Sequence, residues 1–126
     1  MLPRAKLDQT QAAGSLWENA RLEGSTFHSA VLSESSFVRC HCPGVIFTAA
    51  DLRGARLANA NLSGSAFLKA DLMKASLEAA VLSDCDFRGA NLYGVASWRA
   101  RLDGARFDLA LLGKTALGKP MERGRP

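Results

Sequence analysis

The sequence predicts a four-sided solenoid, and two periodicities carry that reading. From Trp17 to Leu112 every fifth residue is large and apolar in unbroken register, with Cys42 and Ser97 the departures among the twenty positions, and all six Phe residues fall on this series. A period of five fits neither an α-helix nor a flat strand, so the chain must turn a corner every five residues. The second period is twenty. Phe27, Phe47, Phe67, Phe87 and Phe107 form one column, and Leu32, Leu52, Leu72, Leu92 and Leu112 another. The column from Leu22 is Leu except at Cys42, and the column from Trp17 runs through Phe37, Leu57, Leu77, Ser97 and Leu117. Like side chains recurring at four corners' distance are what a four-sided coil selects, because each packs on its own kind in the next coil.

Two residues before each large position sits a small one, such as Ala20, Ser25, Ala50, Ala60, Ala70 and Ala90. With the residue between them this gives Ala50-Asp51-Leu52-Arg53-Gly54, Ala60-Asn61-Leu62-Ser63-Gly64, Ala70-Asp71-Leu72-Met73-Lys74 and Ala90-Asn91-Leu92-Tyr93-Gly94. These units resemble the A(D/N)LXX motif of the pentapeptide-repeat family, over roughly four fifths of the chain. The resemblance implies an all-β fold, a right-handed quadrilateral β-helix of about five coils, with the central Leu or Phe pointing inward.

In chain order, residues 1–14 depart from the repeat at Thr10 and Ala12 and are expected to form an N-terminal cap, as solenoid ends need covering. Residues 15–117 are the repeat proper. Glycines at Gly24, Gly44, Gly64 and Gly104, and at Gly54 and Gly94, again recur at twenty and mark corners where a positive φ suits Gly. At Val95-Ala96-Ser97-Trp98-Arg99 a hydroxyl stands where the column wants Leu, beside a nominally outward Trp. We expect local distortion there, with Trp98 moving inward, in preference to a regular coil in which Ser97 bonds to nearby backbone. Residues 118–126 read as a flexible basic tail.

Cys40, Cys42 and Cys85, with His28 and His41 near the first pair, raise metal and disulfide readings. The register argues against both. Cys40 and Cys42 replace core residues, His41 between them points outward, and Cys85 lies two coils away, beyond disulfide reach. Buried structural thiols and a reducing compartment are the expectation.

No catalytic motif is present: neither Gly-x-Ser-x-Gly, nor a phosphate-binding glycine loop before a helix, nor His-Glu-x-x-His. A filled solenoid has no natural pocket, so no enzyme activity, cofactor, metal or small-molecule substrate is expected. No apolar run approaches a membrane span of about 20 residues. The start, Met1-Leu2-Pro3-Arg4, lacks a secretory signal, so the expected location is cytoplasmic, with export by a specialised system that uses no signal peptide still open.

Outward positions are left to carry the function. Met73 and Tyr93 should stack one coil apart, with Leu68 on the preceding side and Trp98 on the following one, so these four are the candidate partner-binding residues. Charge is uneven as well. Residues 1–98 hold nine basic and nine acidic side chains, and residues 99–126 hold seven and three, which places the whole +4 there. Stacked aromatics on a basic groove are missing, so nucleic acid is not the expected partner.

Two function classes follow. One is a non-catalytic protein-interaction module, an accessory or delivered component of a bacterial secretion system, as the resemblance to short pentapeptide-repeat proteins implies. The other is the activity best understood in that family, in which an acidic rod mimics duplex DNA and binds a type II topoisomerase (gyrase), giving quinolone tolerance. Mimicry needs about one negative charge per 1.7 Å of duplex. Here the outward acids are interrupted by Arg21, Arg56, Arg101 and Arg106 and the net charge is positive, so the interaction module is the preferred reading. Neither the partner nor the oligomeric state is written in the sequence.

Overall fold

The computed structural model describes residues 4–117. Parallel one-residue bridges join the residue before each inward position to the residue twenty further on, from Lys6 and Thr26 to Asn91 and Leu111. The coil is therefore twenty residues long and has four sides, as the columns require. The sides are named here by their inward residues: the Phe27 side, the Leu32 side, the Trp17 side and the Leu22 side, in that order around the coil.

The repeat 50–54 shows why this pentapeptide builds a corner. The Leu52 N–H donates to Asp71 O of the next coil at 2.7 Å, and the Gly54 N–H to Met73 O at 2.9 Å. The Asp51 N–H donates to Ala30 O of the previous coil at 2.9 Å. The Ala55 N–H closes the turn onto Leu52 O at 3.0 Å. One N–H remains, that of Arg53, and the Asp51 side chain accepts it at 3.2 Å. Asn61, Asp71, Asp86 and Asn91 do the same for Ser63, Met73, Arg88 and Tyr93. The Asp or Asn of the motif thus satisfies the one backbone donor that the ladder leaves over.

Each turn carries a left-handed residue at its third position. Every fifth residue from Arg4 to Lys114 has φ between 55° and 75°, and fifteen of these are not glycine. Glycine is therefore a preference at the corners and not a requirement of φ. At Gly94 the reason is room: a Cβ there would sit 3.2 Å from Cγ of Lys74, whose side chain leans along the corner from the coil before.

The core is one continuous stack. Phe27, Phe47, Phe67 and Phe87 have no exposed surface and Phe107 has 8%. Their rings stack face to face with centroids 5.2, 5.2, 4.8 and 5.3 Å apart, which is the expected single Phe column. The small positions are inward too, and a hydroxyl there finds backbone: Ser65 Oγ donates to Cys42 O at 3.1 Å and accepts from the Val45 N–H at 3.1 Å.

Three expectations change. The segment 4–14, read as part of a separate cap, continues the repeat: Lys6 and Gln11 bridge to Thr26 and Val31, and Gln9 has the corner φ of 60°. Inward positions filled by Leu7 and the smaller Ala12 still permit the backbone ladder, so this segment covers the next coil by being a coil. Residues 1–3 of that cap and the basic tail expected over 118–126 lie outside the described residues.

The coil at Ser97 is regular, contrary to the expected distortion. Leu77 N–H donates to Ala96 O at 2.7 Å, Ala79 N–H to Trp98 O at 2.8 Å, and Ala100 N–H to Ser97 O at 3.0 Å. With the ladder anchored on both sides of Ser97 there is no slack to rotate the neighbour inward, and Trp98 stays outward.

Cys40 and Cys42 form a disulfide, with Cα atoms 5.7 Å apart, where the sequence argued against one. Residues two apart in extended chain share a face, so two cysteines at the small and central inward positions of one side meet inside the coil. Cys85 is a buried free thiol. Among the described residues no group of His, Cys, Asp and Glu is placed to hold a metal ion, and no helix is long and apolar enough to cross a membrane.

Candidate functional site

Where the columns fill the interior, the outward positions flanking each inward residue are left for recognition. On one side these two positions are neighbours, and charges placed there pair along the coil. Arg53 Nε and Nη2 hold the Asp51 carboxylate at 2.8 and 2.7 Å, and Arg88 Nε and Nη2 hold that of Asp86 at 2.9 and 2.6 Å. Glu23 meets Arg21 at 3.4 Å and Asp108 meets Arg106 at 3.3 Å. The guanidinium beside each of Asp51 and Asp86 holds its carboxyl below the usual carboxylate range, against the opposing effect of partial burial. Each of these acids is countered by an Arg of its own coil.

The apolar candidates divide by side. Met73 and Tyr93 lie on the Leu32 side in adjacent coils, as expected, with Lys74 N–H donating to Tyr93 O at 2.8 Å. Met73 is half-buried and Tyr93 is 39% exposed. Trp98 is 70% exposed on the next side, with the Arg99 guanidinium 5.0 Å from its ring centre. Leu68 is half-buried on the Phe27 side, opposite the Trp98 side, so the four residues do not share one surface.

Two residues were missed. Leu109 and Leu111 are 92% and 61% exposed, and Leu111 bridges to Asn91 beside Tyr93. Both were legible in principle as leucines off the inward register, Leu109 most clearly, because its corner position is otherwise held by polar or small residues. Tyr93, Leu109, Leu111 and Trp98 leave Leu16, at 73%, as the one large exposed apolar residue of the described chain distant from this end.

The sequence pattern of pentapeptide repeats matches the chain in eight copies, over residues 5–41, 27–64, 40–78 and 70–112. This chain belongs to the pentapeptide-repeat family. Members of that family form right-handed quadrilateral β-helices, which agrees with the twenty-residue bridges. Among solved pentapeptide-repeat structures, HetL, involved in heterocyst differentiation regulation in the cyanobacterium Nostoc, is 28% identical with a TM-score of 0.52. The match covers 89% of this chain and 57% of HetL, so the chain spans little more than half of that protein. Rfr23 from the cyanobacterium Cyanothece is 19% identical with a TM-score of 0.53, covering 86% of this chain and 88% of Rfr23. QnrB1, a plasmid-mediated fluoroquinolone resistance protein, is 18% identical with a TM-score of 0.56, covering 90% of this chain and 73% of QnrB1. The likeness to Rfr23 and QnrB1 is one of fold. No curated protein matches the sequence.

Proposed function

We propose that this pentapeptide-repeat protein is a non-catalytic interaction rod that binds a protein partner through the exposed apolar residues of its C-terminal coils. One observation carries the reading: Tyr93 and Leu111 lie side by side on a polar solenoid, with Leu109 at the corner before them and Trp98 after them. Large apolar groups gathered on a surface mark contact sites, and Tyr and Trp are frequent anchors. We place the protein in the cytoplasm where it is made. A role as accessory or delivered component of a bacterial secretion system is part of this proposal.

The test is capture of partners from the source cell on wild-type protein, Tyr93→Ala and Trp98→Ala. Loss of a specific captured protein in both variants, with melting temperature kept within a few degrees, is expected. Equal capture by all three would sink the reading.

The topoisomerase reading draws support from the fold shared with QnrB1 and meets an obstacle in the paired acids. Asp51, Asp86, Glu23 and Asp108 are each countered by an Arg two residues away, so the rod lacks the unbroken negative potential of a duplex. Purified protein is expected to leave DNA supercoiling unaffected. Inhibition at low micromolar concentration would reverse the preference.

A further inference from the structure

Where the backbone ladder ends, the Trp17 column carries Ser97 in place of Leu and stays open. Ser97 follows Leu77 and precedes Leu117 in that column. Among the described residues the last bridge between coils is that of Asn91 to Leu111, so the Ser97 side is tied only to the coil before it. A cavity of about 510 Å³ opens there, lined by Ser97, Trp98, Leu102 and Leu117 together with Arg99 and Lys114. That volume lies within the roughly 300–1,000 Å³ of binding pockets. Its apolar walls are what the interior column supplies. Its two charged lining residues are both cations, and no Asp or Glu lines it among the described residues.

We propose that this cavity receives an apolar side chain from an acidic segment of the protein partner, with Arg99 and Lys114 meeting the segment's carboxylates. The proposal rests on the interaction reading above and names the chemistry of the partner. Complementarity of charge argues for acid: residues 99–117 carry Arg99, Arg101, Arg106 and Lys114 against Asp103 and Asp108, and the two charged residues at the cavity are cations. Continuity argues for a peptide segment and against a free small acid. Trp98, at the mouth, is 70% exposed, and Tyr93 and Leu111 begin on the adjoining side, so an occupant that ended in the cavity would leave them in water. The Arg99 guanidinium, stacked over Trp98, is already held near the position where a carboxylate would approach.

The test is selection from a random-peptide phage library on the full chain, followed by fluorescence anisotropy of the enriched peptides. Enrichment of Phe, Leu or Trp flanked by Asp or Glu is expected, with affinity that falls as salt rises. Ser97→Leu refills the column, so it should keep or raise the melting temperature while weakening binding about tenfold or more. Arg99→Glu with Lys114→Glu, both on the exposed rim, should weaken binding similarly and serves if Ser97→Leu folds poorly. No enrichment, enrichment of basic or uncharged peptides, or equal binding to Ser97→Leu would overturn the proposal. Peptides that lose affinity with Tyr93→Ala but not with Ser97→Leu would sink the cavity and leave the interacting edge. The converse would sink the edge and leave the cavity.

Discussion

The ring of Tyr93 rests against the backbone of Gly113 in the next coil, so close that a Cβ on Gly113 would lie 2.9 Å from Cδ2 and 3.2 Å from Cε2. The glycine lets the ring lie down along the rod, beside Leu111. Gly113→Ala should lift it. The chain has one tyrosine, so its ring resonances report the site directly. A shift of those resonances with a stability change under about 1 kcal/mol is expected, and an unmoved ring would contradict the packing.

Asp51 performs two tasks that substitution separates. Its carboxylate accepts the Arg53 backbone N–H and pairs with the Arg53 guanidinium. Asp51→Asn keeps an acceptor for the N–H and should cost little. Asp51→Ala leaves that donor to solvent and should cost about 1 kcal/mol by chemical denaturation. If the two variants were equally stable, the backbone bond would be irrelevant.

The lowered pKa values of Asp51 and Asp86 contribute to the acid side of the stability curve, together with those of Asp8 and Glu23. In Asp51 and Asp86 the hydrogen bond from the neighbouring Arg leads the shift. A carboxyl whose folded pKa lies below its unfolded value contributes stability that is present above the unfolded value and lost as pH falls through the folded one. Melting temperature should therefore decline below about pH 4, and less steeply in Arg53→Ala with Arg88→Ala. An unchanged slope in that double variant would refute the assignment.

Cys85 contributes to the alkaline side. Burial is the leading cause that pushes its thiol up to about 12, and its Sγ donates to Leu62 O at 2.9 Å. A thiol with a raised folded value contributes stability below its ordinary value near 9, and that stability is lost as pH rises from there towards 12. Cys85→Ala should remove this part of the alkaline decline. Native protein should resist iodoacetamide at Cys85 at pH 8, and rapid labelling there would show that the site opens.

Cys40 and Cys42 should count as one disulfide in intact oxidised protein, with reduction (two electrons and two protons) adding the mass of two hydrogen atoms. The bridge spans one intervening residue, so it closes a very small loop and removes little entropy from the unfolded chain. Reduction should lower stability by roughly 1.5 kcal/mol or less. Complete unfolding on reduction would mean that the bridge, and not the stacked columns, holds the coil.

The interior was legible because a solenoid repeats one local problem. Each inward position sees the same neighbours twenty residues before and after, so the five- and twenty-residue periods name the Phe27 to Phe107 column and its four sides without coordinates. The candidate site was legible in part. Met73 and Tyr93 share a column, and adding twenty predicts their adjacency. Sequence spacing puts Leu68 and Trp98 on the sides before and after that column as one edge, but two corners separate those sides, so they face opposite ways and share no surface. The disulfide, the regular coil at Ser97 and the cavity beside it needed the tertiary structure. Each depends on whether hydrogen-bonded backbone can move to suit one side chain. The Cys40 to Cys42 segment is tied to the coils before and after it, and the Ser97 segment to the coil before it. Cys40 and Cys42 are pressed together, Trp98 is kept outside, and the space that Ser97 does not fill stays open.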